Sequence, residues 1–265
     1  MSQDDAPLTS ADLGDGVREI TLARPQLLNR FDRALHHALT AALLQVAGDE
    51  TVRAVALTST GKAFSAGGDF AEMRRTHQDA VARRQTIADA RRMLAAVLDL
   101  PQPMVVGVQG PAIGLGATVV LLGDAVVAAR RATIADTHVN VGLVAGDGGC
   151  LVWPQSAGML RARRHLLTGD PLDAEAAFGL GLVTDLVDEP GDVRPAVLAL
   201  AERIAALPPL AVQGTKRALD VVTRRRSSEV VELSLELEAQ TMTTADHLEG
   251  FTAFQERRPP AFHGR

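Results

Sequence analysis

The chain has no tyrosine, a single tryptophan and a single cysteine, and its only lysines are Lys62 and Lys216. With Cys150 alone there is neither an intramolecular disulfide framework nor a cysteine-based metal site, which fits a reducing compartment. No apolar run reaches the roughly 20 residues that a membrane-spanning helix needs. The opening stretch, MSQDDAPLTSADLGDG, is acidic and lacks the basic, apolar pattern of a signal or transit peptide. A cytoplasmic protein without membrane contact is expected. Charge of one sign is also missing as a block: the 27 basic and 32 acidic residues are scattered, net −5, and form no groove for nucleic acid.

What is present is a chain of 265 residues, long enough for a large core. Strand-like runs such as Val17–Leu22, Ala54–Ser59 and Met104–Val108 alternate with helical patterns, for example Leu35, Leu39, Leu43 and Val46. That alternation predicts an α/β fold with stacked right-handed crossovers. After Glu189-Pro190-Gly191 the strands stop. Helices are predicted over 193–207, 210–223 and 227–244, so a core of residues 1–192 and a helical region of residues 193–265 are expected. The helical region is too thin to fold alone and should pack on its own core or on a second subunit. Glu72 to Arg84 is polar all round and suits a flap.

Two glycine-rich turns carry the chemistry. In PMVVGVQGPAIGLGATVVLLGD, Pro103 to Asp124, an apolar strand breaks at Gly110, Gly114 and Gly116 and restarts as a helix, which points backbone N–H groups outward at the helix start. In KAFSAGGD, Lys62 to Asp69, Gly67 and Gly68 expose further N–H groups that a Cβ would crowd. Facing each other, two such turns make a two-donor hole for an oxyanion. The bland alternative is a pair of tight turns. The GLGATV segment departs from a dinucleotide fingerprint at Val119, and Ser65 lacks the first glycine of a nucleophile elbow. His36 and His37, consecutive in a helix, cannot face one metal ion and are expected to be solvated.

Further along lies DTHVNVGLVAGDGG, Asp136 to Gly149, in which Asp147 follows His138 by nine residues. Its glycines allow the carboxylate to fold back onto the imidazole, where an Asp accepting one ring N–H fixes the tautomer and leaves the other nitrogen as a base. Taken alone, His138 also fits a surface histidine and Asp147 a turn residue.

Five segments in order resemble the crotonase, or enoyl-CoA hydratase/isomerase, superfamily: ITLARPQLLNRF, VRAVALTSTGKAFSAGGDFAEM, PMVVGVQGPAIGLGATVVLLGDAVVA, HLLTGDPLDAEAAFGLGLVTDLV and EGFTAFQERRPPAF. The resemblance implies a spiral of ββα repeats with a C-terminal helical trimerisation region, self-associating to a trimer or hexamer. It implies an acyl-CoA thioester substrate, with coenzyme A part of that substrate and no separate cofactor or metal. Its oxyanion hole falls on the N–H groups of Gly68 and Leu115, and its substrate-binding positions on Ala66, Asp69, Gly114 and Arg257. The two catalytic glutamates of the family's hydratases fall on Thr118 and His138. A threonine hydroxyl is no general base near neutral pH, so Thr118 is left to hydrogen-bond a water or substrate hydroxyl. The run from His138 through Asp147 to VWP is similar to the β-diketone (oxocamphor-type) hydrolase branch, in which a His–Asp dyad activates water; a histidine of that branch falls on Gly116. Hydration, isomerisation or hydrolysis of an acyl-CoA, CoA-independent C–C hydrolysis, and acyl-CoA binding without catalysis all remain open at this level.

Overall fold

The computed structural model describes residues 6–265; the first five residues of the acidic opening stretch lie outside it. A six-stranded sheet is built from β1 (Leu8–Asp12), β2 (Val17–Leu22), β3 (Ala54–Ser59), β4 (Met104–Val108), β6 (Ala125–Ala129) and β9 (Asp185–Val187), in that spatial order. Only β1 is antiparallel to its neighbour; the other pairs are parallel. A small second sheet holds β5 (Ala112–Ile113), β7 (Thr133–Ala135) and β8 (Leu172–Asp173). The consecutive strands β6 and β7 are therefore divided between two sheets.

Side chains of period two explain why the large sheet is covered on both faces. Val55, Leu57, Val106 and Val108 point into one core with α1 (Arg33–Ala47) and α3 (Ala80–Leu98). Their neighbours Ala54, Ala56, Val105 and Val127 point the other way, onto Val193, Val197 and Ala201 of α8 (Pro190–Ala205). Small residues on that face let α8 lie close: a Cβ on Gly107 would come within 2.8 Å of Val197.

The polar stretch after Phe70 forms two helices, α2 (Phe70–Gln78) and α3, divided at Asp79, whose carboxylate caps α3 by accepting from the Val81 N–H. Trp153 lies within α5 (Gly149–Ala157), and Gly158 breaks this helix from α6 (Met159–Thr168). After α7 (Ala174–Leu180) and α8 comes α9 (Pro209–Thr241), one helix of 33 residues where two were expected. The chain then turns into α10 (Ala245–Glu256), which packs back on α2 and on the segment following β7. Among the described residues, no single helix is long and apolar enough to cross a membrane.

Candidate active site

Three short segments are laced side by side. The Ile113 N–H donates to the Ser65 carbonyl at 3.0 Å, and the Gly114 N–H donates to Ala135 at 2.8 Å. The first glycine turn, β5 and β7 thus form one row, and the chain leaves that row into Asp136 and a 3-10 turn over His138–Val141. Gly67 at φ +84° and Gly114 at φ +55° make the two turns possible, since a side chain is strained in that region. A Cβ on Gly114 would sit 3.6 Å from the His138 ring and 3.9 Å from Gly67, so the turns and the imidazole share one space.

That space is two joined cavities. The inner one, about 670 Å³, includes Gly68, Asp69, Leu115, His138 and Asp147 in its wall; the outer, about 1000 Å³, includes Ala66, Gly114 and Phe254, and both share Gly68 and His138. The Gly68 and Leu115 N–H groups have no acceptor among the described residues, and Leu115 opens α4 (Leu115–Leu121), where such N–H groups lack an intrahelical partner. Asp69 reaches the cavity, but its carboxylate caps α2 by accepting from the Glu72 N–H and pairs with Arg30. Thr118 is fully enclosed, lines neither cavity, and its hydroxyl has no partner among the described residues. Arg257 caps the C-terminus of α10 in a left-handed conformation, exposed, one turn beyond Phe254. Ser65 is buried, and its hydroxyl accepts from the Gly67 N–H at 3.2 Å, a turn-supporting role.

His138 and Asp147 do meet: Nε2 lies 3.3 Å from the Asp147 carboxylate. The other ring nitrogen is not spare. Nδ1 lies 2.7 Å from Oδ1 of Asp136, which also accepts from the His138 backbone N–H. The imidazole is thus clamped between two carboxylates, and Asp136, the closer, sets its orientation. Gly149 is what admits Asp136, for a Cβ there would overlap its carboxylate. Burial works against the charged ring, but the carboxylates of Asp147 and Asp136 outweigh it and hold the His138 pKa well above the usual 6.5. Both ring nitrogens therefore face a carboxylate, no nitrogen is left free opposite Asp147, and the two carboxylates favour the charged ring over the neutral one.

A third carboxyl comes from α9. Glu238 is 5% exposed and lines the inner cavity, with Oε2 unpartnered, as is Oδ1 of Asp147. Burial, and then the Asp147 carboxylate, hold the Glu238 pKa well above the ordinary 4.5, which favours its protonated form. His138, Asp147 and Glu238 each offer an atom within 4.8 Å of the others, a spacing at which one small cation could bridge them. Glu238 lies 91 residues beyond Asp147, and only its place on the inner face of a C-terminal helix marked it. Asp136 stands two residues before His138, and the local turn carries its carboxylate to Nδ1.

The two adjacent histidines of α1 part company. His36 is 9% exposed and turns into the inner cavity beside Phe31, while His37 faces outward and reaches Asp89 at 3.0 Å. The solvated reading holds for His37 alone. Successive residues on a helix are about 100° apart, and the Leu35–Leu39–Leu43 stripe carries His36 inward with it.

The sequence model of the enoyl-CoA hydratase/isomerase family matches residues 12–265. A probable enoyl-CoA hydratase of Rhodobacter capsulatus is 32% identical over 259 residues, covering 96% of this chain and 97% of that one. From Escherichia coli, 1,2-epoxyphenylacetyl-CoA isomerase is 32% identical and 2,3-dehydroadipyl-CoA hydratase 34% identical, each over 253 residues, with 94% and 93% of this chain covered and 96% and 94% of those proteins. In three dimensions, an enoyl-CoA hydratase/isomerase from Mycobacterium paratuberculosis superposes with a TM-score of 0.89 at 38% identity, over 93% of this chain and 98% of that one. The chain belongs to the enoyl-CoA hydratase/isomerase family, and it has the crotonase fold. It is an enzyme of that superfamily, whose members act on acyl-CoA thioesters.

Proposed function

We propose that the enzyme hydrates a 2-enoyl-CoA through a thioester enolate, with a carboxyl–carboxylate pair standing in for the two glutamates of the family's hydratases. The observation that carries this reading is the grouping of His138, Asp147 and Glu238 within 4.8 Å of one another, in a cavity whose wall also holds Gly68 and Leu115 with their N–H groups without acceptors among the described residues. The thioester oxygen rests on the two N–H groups, each worth roughly 3 kcal/mol to the developing enolate. Asp147, held by the His138 imidazolium, takes the proton of a water as its oxygen bonds to the β-carbon. Glu238, its protonated form favoured by burial, gives its proton to the α-carbon, and the proton on Asp147 then passes to Glu238 and resets the pair. His138 stays charged throughout and offsets the carboxylates.

Hydrolysis of a CoA-free β-diketone is the second reading, supported by the His138–Asp147 contact. The oxyanion turn argues against it: a Cβ on Gly116 would sit 2.7 Å from the Ser65 Cβ, so no histidine fits where that branch has one. Crotonyl-CoA incubated in oxygen-18 water, with products followed by mass spectrometry, tests the proposal. One labelled oxygen gained with the thioester intact is expected. Exchange of carbon-bound hydrogen without oxygen gain reassigns the enzyme to isomerisation. Inert crotonyl-CoA beside cleavage of a β-diketone by the wild type overturns the thioester reading.

A further inference from the structure

The wall of the inner cavity is largely apolar, with polar atoms at a few places. Apart from the acid–base cluster, two buried ring nitrogens in its wall lack partners among the described residues: Nδ1 of His36 on α1 and Nε2 of His247 on α10. A buried polar atom without a partner is costly, and when it lines a cavity the natural partner is a ligand.

His247 is the more informative of the two. It is 0% exposed, and its Nδ1–H donates to the Val141 carbonyl at 2.7 Å. The tautomer follows from that bond: Nδ1 carries the proton, and Nε2 is a bare acceptor. Burial lowers the His247 pKa to about 4, and His77 and His138 add to the effect, so the ring stays neutral across the physiological range. The ring is also fixed in place. Phe251 packs edge-on at 5.0 Å, the Thr244 hydroxyl caps the helix by accepting from the His247 N–H, and a Cβ on Gly142 would come within 2.8 Å of the His247 backbone. Val141, its anchor, ends the same 3-10 turn that begins with His138. The acceptor and the charged ring of the acid–base cluster are therefore set on one short piece of backbone.

We infer that the acyl group received by this cavity bears a hydroxyl, which donates its hydrogen bond to Nε2 of His247. This inference rests on the acyl-CoA reading above and specifies its substrate as a hydroxylated enoyl thioester rather than an unsubstituted one. The geometry assigns to His247 a specificity role: it is a neutral, immobile acceptor that a hydroxyl satisfies and a methylene leaves bare. His36 stands ready as a second polar contact from the opposite element.

The test compares matched 2-enoyl-CoA thioesters that differ only by one hydroxyl, placed at successive carbons of the acyl chain, as substrates of the wild-type enzyme. At one position the hydroxylated thioester is expected to have a kcat/KM about tenfold or more above its unsubstituted match, expressed mainly in KM. In His247→Leu that preference is expected to collapse toward unity, and in His247→Gln, which keeps an acceptor, to be partly restored. If unsubstituted thioesters are turned over and no hydroxylated one is preferred, the inference is overturned while the acyl-CoA reading stands. If no thioester of either kind is bound or turned over, both fall. The wild-type comparison decides the matter even if the leucine variant does not fold.

Discussion

At the residue scale, a ring clamped between Asp136 and Asp147 changes what pH should do. A base whose folded pKa is raised keeps its proton below that pKa and loses it as pH rises through it, so activity that needs the imidazolium persists through the ordinary histidine value of 6.5 and declines on the alkaline side. Asp136→Asn removes the charge nearest Nδ1, and the alkaline limb of the pH profile of kcat/KM should move down toward 6.5. A limb left in place would show that Asp136 does not hold the ring charged. Some of this site was legible in the sequence. Gly68, Leu115, His138 and Asp147 all line the inner cavity, because backbone donors and a histidine–aspartate pair are signalled by local glycine pattern and spacing. Glu238, His36 and His247 were not, since their roles arise when distant helices fold over the loop; Asp136 is a near neighbour of His138, and its reach to Nδ1 depends on the local turn of the loop and not on spacing alone.

At the element scale, the glycine turns work by contact as much as by conformation. Gly116 meets the Ser65 Cβ, and Gly146 meets Ser234 and Glu238 of α9, so the loop bearing Asp147 is pressed against the helix that supplies the third carboxyl. Gly116→Ala should overpack the first contact at about 1–3 kcal/mol, a fall in Tm readable by calorimetry, and should shift the Leu115 N–H with it. An unchanged Tm would mean that the turns have slack there. The alternation that predicted the sheet succeeded because both its faces are buried. The break expected in α9 failed for a definite reason: Arg224–Arg225–Arg226 reads as a polar interruption, yet arginine is a good helix former, and no glycine or proline stands there. Arg224 pairs with Asp99 and with the Leu98 carbonyl at the end of α3, which ties α9 to the core instead of ending it.

At the scale of the whole molecule, the crotonase frame leaves large apolar side chains in water. Leu210 is 85% exposed, Leu160 82% and Leu167 73%, on α9 and α6, well away from the cavities. Self-association to a trimer or hexamer is proposed to cover them, as the family resemblance implied, and sedimentation equilibrium should return one of those masses; a monomer would contradict it. Inside one subunit, the sheet, the β5–β7 row and the returning C-terminal helices converge on a single purpose, to set two N–H groups without acceptors among the described residues beside an acid–base cluster in one pocket. That convergence is the central claim, and the most direct measurement is the infrared difference spectrum of a bound saturated acyl-CoA labelled with carbon-13 at the thioester carbonyl. Hydrogen bonds from Gly68 and Leu115 should weaken the C=O bond and move its stretch to lower frequency than in water. A stretch at the solution position, with the ligand bound, would show that the thioester oxygen rests somewhere else and would contradict the account.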